Sequence, residues 1–189
     1  MIALRKARPG DAIAIGAVHV AVWRTSYAGI LPDAYLARLS VSRQTAYYDA
    51  AIRCGTGVFV ATASGVDVPA GSGPRVIGFA TAGRARTGEA GGTILGEGEV
   101  ETLYVLDDWR DLGVGRQLLR QAASHLVEIG CRSCYLWVLR DNPSRWFYER
   151  LGGKSVAENT IQVGGEPIVQ TAFVWDPIDR LIAASPQKS

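Results

Sequence analysis

The chain has 189 residues, 48% of them hydrophobic and 20% charged, enough for one domain that buries about 70% of its unfolded surface. Lys and Arg number 20 against 18 Asp and Glu, so the formal charge is +2 with no long run of one sign; that excludes the footprint of a nucleic-acid or membrane-surface protein. The opening MIALRKARPGDA lacks the apolar core of a signal peptide and no window approaches a membrane span, so a cytoplasmic protein without membrane or nucleic-acid partners is expected.

In chain order, residues 2–7 alternate weakly and read as a strand. Asp11 follows a Pro-Gly turn as an N-cap, and a helix is expected over 12–27, with Ile13, Ala17, Val20 and Val22-Trp23 on its apolar face. Gly29-Ile30-Leu31-Pro32 interrupts it. Asp33 caps a short helix to Leu39, and Ser42 starts another through about Cys54. Residues 57–63 (GVFVATA) are strand-like, 64–74 form a mobile Gly/Pro/Ser surface loop, 75–86 resume as a strand, and 87–96 make a second glycine-rich connection.

Glu99 to Val105 is again a strand by its β-branched and aromatic content. A polar turn, Asp107 to Asp111, leads to Gly113-Val114-Gly115, where a helix opens whose apolar positions are Val114, Leu118, Leu119, Ala122, Leu126 and Ile129. Strand, glycine turn and helix together aim unpaired N–H groups and the positive end of a helix at one spot, a place for an anion. Arg110 and Arg116 flank the glycines and add positive charge. No G-x-x-x-x-G-K-[ST] string exists, and position 118 is Leu where a dinucleotide fingerprint needs a third glycine, which disfavours a nucleotide-binding regulator.

Cys131-Arg132-Ser133-Cys134 has C-x-x-C spacing, but His19 and His125 do not stand at partner spacing for zinc. The pair falls between a helix and a strand rather than at a helix start. It reads as two buried thiols, no metal is expected, and both histidines read as structural or exposed. Residues 133–139 (SCYLWVL) form an unbroken apolar run, as in a strand covered on both faces. Asn142 caps a helix with Pro143 at its first position. Two strands, about 154–163 and 168–176, are joined at Gly164-Gly165-Glu166, and 177–189 looks like a frayed tail of a single domain spanning 1–189.

Arg110-x-x-Gly113-x-Gly115 after a strand resembles the acyl-CoA signature of the GNAT superfamily of N-acetyltransferases, and Asn142 followed by Phe147-Tyr148-Glu149 and Leu151-Gly152 resembles its second hallmark. The resemblance runs from Arg5 to about Asp176 and is strongest over 97–154. It implies an α/β protein of the GNAT fold, a mixed, mostly antiparallel sheet of about seven strands flanked by four or five helices. It implies direct transfer of an acetyl group from acetyl-CoA to an amine acceptor, and makes a homodimer the common state.

For the site, the resemblance implies that Leu103, Tyr104 and Val105 pair with the pantetheine arm. The amides of Arg110, Asp111, Leu112, Gly113, Val114, Gly115 and Arg116 take the pyrophosphate, and Asn142 hydrogen-bonds the cofactor. Tyr148 matches the general acid that protonates the leaving thiolate, the alternative being that it packs beside Phe147. A phenol pKa of about 10 lies near enough to a thiol's 8.5 or so for that transfer. Glu99, eleven residues before Arg110, is the candidate base; Glu101, two residues on, shares its face in a regular strand and could assist or replace it. Both could equally be solvated surface carboxylates. Trp23 and Tyr27 lie in a stretch similar to one beside the substrate cleft of a bacterial subgroup, and four-residue spacing puts them on one helix face. They line a pocket for a cationic amine or pack in the core. An acyl-CoA-binding or sensing domain without catalysis would carry the same motifs.

Overall fold

The structure, a computed structural model, describes residues 1–65, 74–86, 89–90 and 93–185. The elements run β1 (Ile2–Lys6), α1 (Ala12–Ser26), α2 (Asp33–Ala37), α3 (Val41–Arg53), β2 (Gly57–Ala63), β3 (Arg75–Arg84), β4 (Glu89–Ala90), β5 (Thr93–Ile94), β6 (Gly98–Val105), α4 (Val114–Glu128), β7 (Cys134–Leu139), α5 (Arg145–Arg150), β8 (Lys154–Val163), β9 (Glu166–Trp175) and α6 (Asp179–Ala184). Seven strands form one sheet in the order β1-β2-β3-β6-β7-β9-β8. Every neighbouring pair is antiparallel except β6 with β7. The described residues thus hold the expected mixed sheet, with six α-helices in place of four or five. Most of the expected 64–74 loop lies outside the described residues.

Helices α4 and α6 cover one face and α1 with α3 the other. Of the positions expected to be apolar, Val114, Leu118, Leu119, Ala122 and Leu126 are buried, together with Ala123, while Ile129 is half-buried just past the end of α4. Each fully buried leucine contributes roughly 1.5–3 kcal/mol. Central strand β2 is buried at every residue, which explains why its sequence does not alternate. Gly98 lets the sheet close on α4, since a Cβ there would lie 2.9 Å from Leu126 Cδ2. No helix among the described residues is long and apolar enough to cross a membrane.

Two local expectations need correction. Asp11 precedes α1 but makes no side-chain cap bond to it; Oδ2 instead accepts from the Arg8 N–H at 2.7 Å, closing the 3-10 turn 9–11, and both oxygens hold the Arg5 guanidinium. A bidentate charged partner outcompetes neutral helix amides. The tail is also not frayed through 185: Asp179–Ala184 form α6, with Ile178 and Leu181 buried in the core under α4. Arg120 of α4 donates to the Ile182 and Ser185 carbonyls at 2.7 and 3.0 Å, closing the end of this short helix.

Candidate functional site

Strands β6 and β7 run parallel but pair only at Gly98 with Cys134 and Glu99 with Tyr135. Their lower ends are pinned together. Glu97 accepts from the Arg132 N–H at 2.7 Å, and the Gly98 N–H donates to the Ser133 carbonyl at 3.1 Å. Beyond Glu99 the strands part, because each obeys a different neighbour. β7 follows β9 in unbroken register from Cys134 to Leu139. β6 follows β3 through a bulge at Glu101, where Ala82 pairs with Val100 and Thr81 with Thr102. A bulge bends and twists the strand that carries it.

The gap is a cavity of about 560 Å³ lined by Val100–Val105 on one side and Leu136–Val138 on the other. Its wall is completed by Tyr27, Asn142 and Tyr148 and its mouth by Arg110, Asp111, Gly113, Gly115 and Arg116. Beyond Glu99, the β6 peptide groups facing the gap have no ladder partner on β7. That leaves an edge to which an extended chain can add.

At the mouth, backbone conformation turns the amides inward. Asp111 has φ of 59° and Gly113, the N-cap of α4, has φ of 82°, so two left-handed residues bracket Leu112. Such alternation makes an anion-binding nest. The first helical bond is Gln117 N–H to Gly113 O, so the amides of residues 114–116 are not spent within α4. Leu112 is half-exposed, and Val114 is buried in the core, so both can serve this turn only through their backbones. Gly113→Ala should force a left-handed alanine, at about 1–2 kcal/mol. Denaturant unfolding should read that cost as a lower midpoint in Gly113→Ala, and an unchanged midpoint would mean that the left-handed geometry is not held in the folded chain.

The side chain of Arg110, at the mouth, is already engaged. Its Nη2 is ion-paired with Asp107 Oδ1 at 2.8 Å and donates to Ser26 Oγ at 2.5 Å, tying the turn to the end of α1. Asn142 opens the α5 turn rather than the helix itself: its Oδ1 accepts from the Ser144 N–H at 2.9 Å. Its NH2 group is left beside Tyr27 as a donor at the cavity wall.

Tyr148 lines the cavity while its ring packs against Phe147, Phe173 and Trp175, at centroid distances of 5.3, 6.0 and 6.4 Å. Packing and cavity lining are therefore not alternatives. Burial, with Tyr27 nearby, pushes its phenol well above the usual range, so it holds its proton through neutral pH.

The two glutamates part company. The bulge breaks the period of two that would have put them on one face. Glu101 lines the cavity, with Arg86 Nη2 3.8 Å from its carboxylate. Glu99 is not among the cavity-lining residues; its Oε2 accepts from Tyr135 Oη at 2.9 Å. Burial raises the Glu99 pKa against the pull of that bond.

Trp23 and Tyr27 do share a face of α1, with ring centroids 5.0 Å apart. Only Tyr27 reaches the cavity; Trp23 stands behind it, stacked on His19 at 5.0 Å. His19 is buried, hydrogen-bonded to Tyr48 at 2.8 Å, and held neutral by burial, its pKa lowered to about 4. Cys131 and Cys134 are both buried free thiols.

Thr102, Trp137 and Arg150 also line the cavity and were not singled out in the sequence. Trp137 is legible only once β7 is known to leave β6, since an apolar run gives no hint which residue borders a gap. A smaller hollow, of about 320 Å³, lies where the α3–β2 turn meets His125 and Arg86, and Glu101 borders it as well.

Residues 25–153 match the model of the Acetyltransferase (GNAT) family. Among curated proteins the chain is similar to the uncharacterized N-acetyltransferase YuaI of Bacillus subtilis, 32% identical over 181 residues that cover 96% of both chains. Among solved structures it is similar to yncA of Salmonella typhimurium, solved with acetyl-CoA (TM-score 0.64, 23% identity, 93% of each chain). It is also similar to the PaiA N-acetyltransferase of Thermoplasma acidophilum, solved with coenzyme A (TM-score 0.63, 20% identity, 90% of this chain and 98% of that one).

Proposed function

Because this chain belongs to the GNAT acetyltransferase family, we propose that it transfers an acetyl group from acetyl-CoA directly to a primary amine of a small molecule or protein, both held at once in the cavity between β6 and β7. The observation that carries this reading is the meeting of three features in one cavity: a nest of backbone amides at its mouth, a strand edge without a ladder partner along it, and Tyr148 with Glu101 on its walls. Acetyl-CoA, when bound, supplies the acetyl group already activated as a thioester.

The chain's own groups divide the work. The amides at the start of α4, residues 113–116, take the diphosphate, the expected Arg110 N–H being already spent on the Asp107 carbonyl at 3.1 Å, and Asn142 donates to the pantetheine arm. Leu103, Tyr104 and Val105 receive that arm as an added strand, with one β6 amide steadying charge on the carbonyl oxygen. Tyr148 keeps its proton until the sulfur leaves and then gives it up; burial makes it a weaker donor than the free phenol expected from the sequence, so the transfer waits on the full charge of the departing thiolate. Glu101 holds the incoming ammonium and draws off its proton, directly or through water. We assign this role to Glu101 rather than Glu99 because Glu101 is the carboxylate on the cavity wall. Tyr27 forms the acceptor wall with Trp23 behind it. We place the reaction in the cytoplasm.

The test is to incubate the protein with acetyl-CoA and a panel of amines and follow thiol release, alongside calorimetry with CoA. Thiol release with one or more amines supports the reading. Tight CoA binding with no release on any amine would favour a silent acyl-CoA-binding domain, and absence of CoA binding would defeat both.

A further inference from the structure

The proposal concerns how the cofactor end of this cavity speaks to the acceptor end, and rests on the reading that residues 113–116 take a diphosphate. We propose that Ser26 is a positioning residue: through its hydrogen bond to Arg110, occupancy of the diphosphate turn fixes the acceptor wall at Tyr27.

One guanidinium nitrogen makes the link. Arg110 Nη2 is ion-paired with Asp107, within the turn, and donates to Ser26, 84 residues earlier in the chain. Arg110 is rooted immediately before the left-handed Asp111, its own N–H bonded to the Asp107 carbonyl at 3.1 Å, so any ligand that fixes the turn at 111–116 also fixes the base of this side chain. At the other end, Ser26 is the last residue of α1, where the helix dipole favours a cation. Tyr27 follows directly; its carbonyl accepts from the Ile30 and Leu31 N–H groups at 3.0 and 2.9 Å, and its own N–H donates to the Trp23 carbonyl at 3.1 Å. Anchoring Ser26 therefore anchors the whole turn that carries Tyr27 into the cavity.

The Arg110 side chain is 45% exposed, so while the turn is free to move its bonds compete with water and hold little. A ligand that immobilises the turn removes most of the ordering cost, and the same bond then holds α1. The coupling is reciprocal: an acceptor seated on Tyr27 tightens the cofactor end by the same factor.

The experiment is amide hydrogen exchange of the full-length protein with and without CoA, in wild type, Ser26→Ala and Ser26→Thr. In the wild type, CoA should slow exchange across 107–116 and, by about tenfold, at Tyr27, Ile30 and Leu31, as expected for one charge-assisted hydrogen bond. Ser26→Ala should keep the first effect and lose the second. Ser26→Thr, which retains the hydroxyl, should restore it. If the 27–31 amides slow equally in Ser26→Ala, direct contact with the ligand holds that segment and the proposal is overturned. If only 107–116 responds in the wild type, the two ends are uncoupled and it is equally overturned. If neither segment responds in any variant, the diphosphate reading itself falls, and this proposal with it.

Discussion

Replacing Tyr148 with Phe should lower kcat by about 100-fold, the lower end of what a positioned proton donor contributes, while leaving the CoA dissociation constant within about twofold. The asymmetry follows from where the side chain sits. Its ring packs among Phe147, Phe173 and Trp175, contacts that phenylalanine retains, so folding should be nearly unaffected. Only the hydroxyl at the cavity wall is lost. Because burial raises the phenol pKa, the wild-type acid stays protonated across neutral and mildly alkaline pH. The wild-type rate should therefore show no loss of this group between about pH 7 and 9, close to where an unperturbed phenol begins to ionise. A thiol-release assay on the best amine from the panel measures the rate and calorimetry the affinity. Turnover within threefold of wild type would retire the acid role.

Glu101→Gln should lower kcat/KM for the amine by about 100-fold near pH 7, whereas Glu99→Gln should change it by no more than about threefold. An alkyl amine with a pKa of about 10 is almost wholly protonated at neutral pH and must lose a proton before it attacks. The carboxylate on the cavity wall is the one placed to remove it, and that is Glu101. Glu99 already accepts from Tyr135 and is turned away by the bulge. The sign of the pH dependence follows: as pH rises toward 10 the amine deprotonates in solution, so the gap between Glu101→Gln and wild type should narrow. Parallel pH profiles of the two variants check both statements. A larger loss in Glu99→Gln than in Glu101→Gln would return the base to Glu99.

The two glutamates also mark how far the sequence could be read. A regular strand puts residues 99 and 101 on one face, and that inference is sound for the strand alone. It failed because β3, paired alongside, imposes a bulge at Glu101. Arg110 behaves similarly. As a basic residue flanking two glycines it reads as a phosphate ligand, yet its nearest acceptors are Asp107 and a serine from a distant helix. The tail past Pro177 carries too little local signal to be read as ordered, and α6 exists because α4 offers a surface for Leu181 and an arginine for its last carbonyls.

What the sequence determined by itself is what adjacent residues settle among themselves. The apolar stripe of α4, the strand character of β2 and β7 and the glycine turn that opens α4 are each written in a few neighbouring residues, because helix and strand periods and backbone sterics are local. Tertiary structure alone decided where β6 and β7 part, which carboxylate meets the gap, and what holds Arg110. Each of these depends on an element distant in sequence that bends a strand or offers a partner, and no window of the chain contains both sides of such a contact.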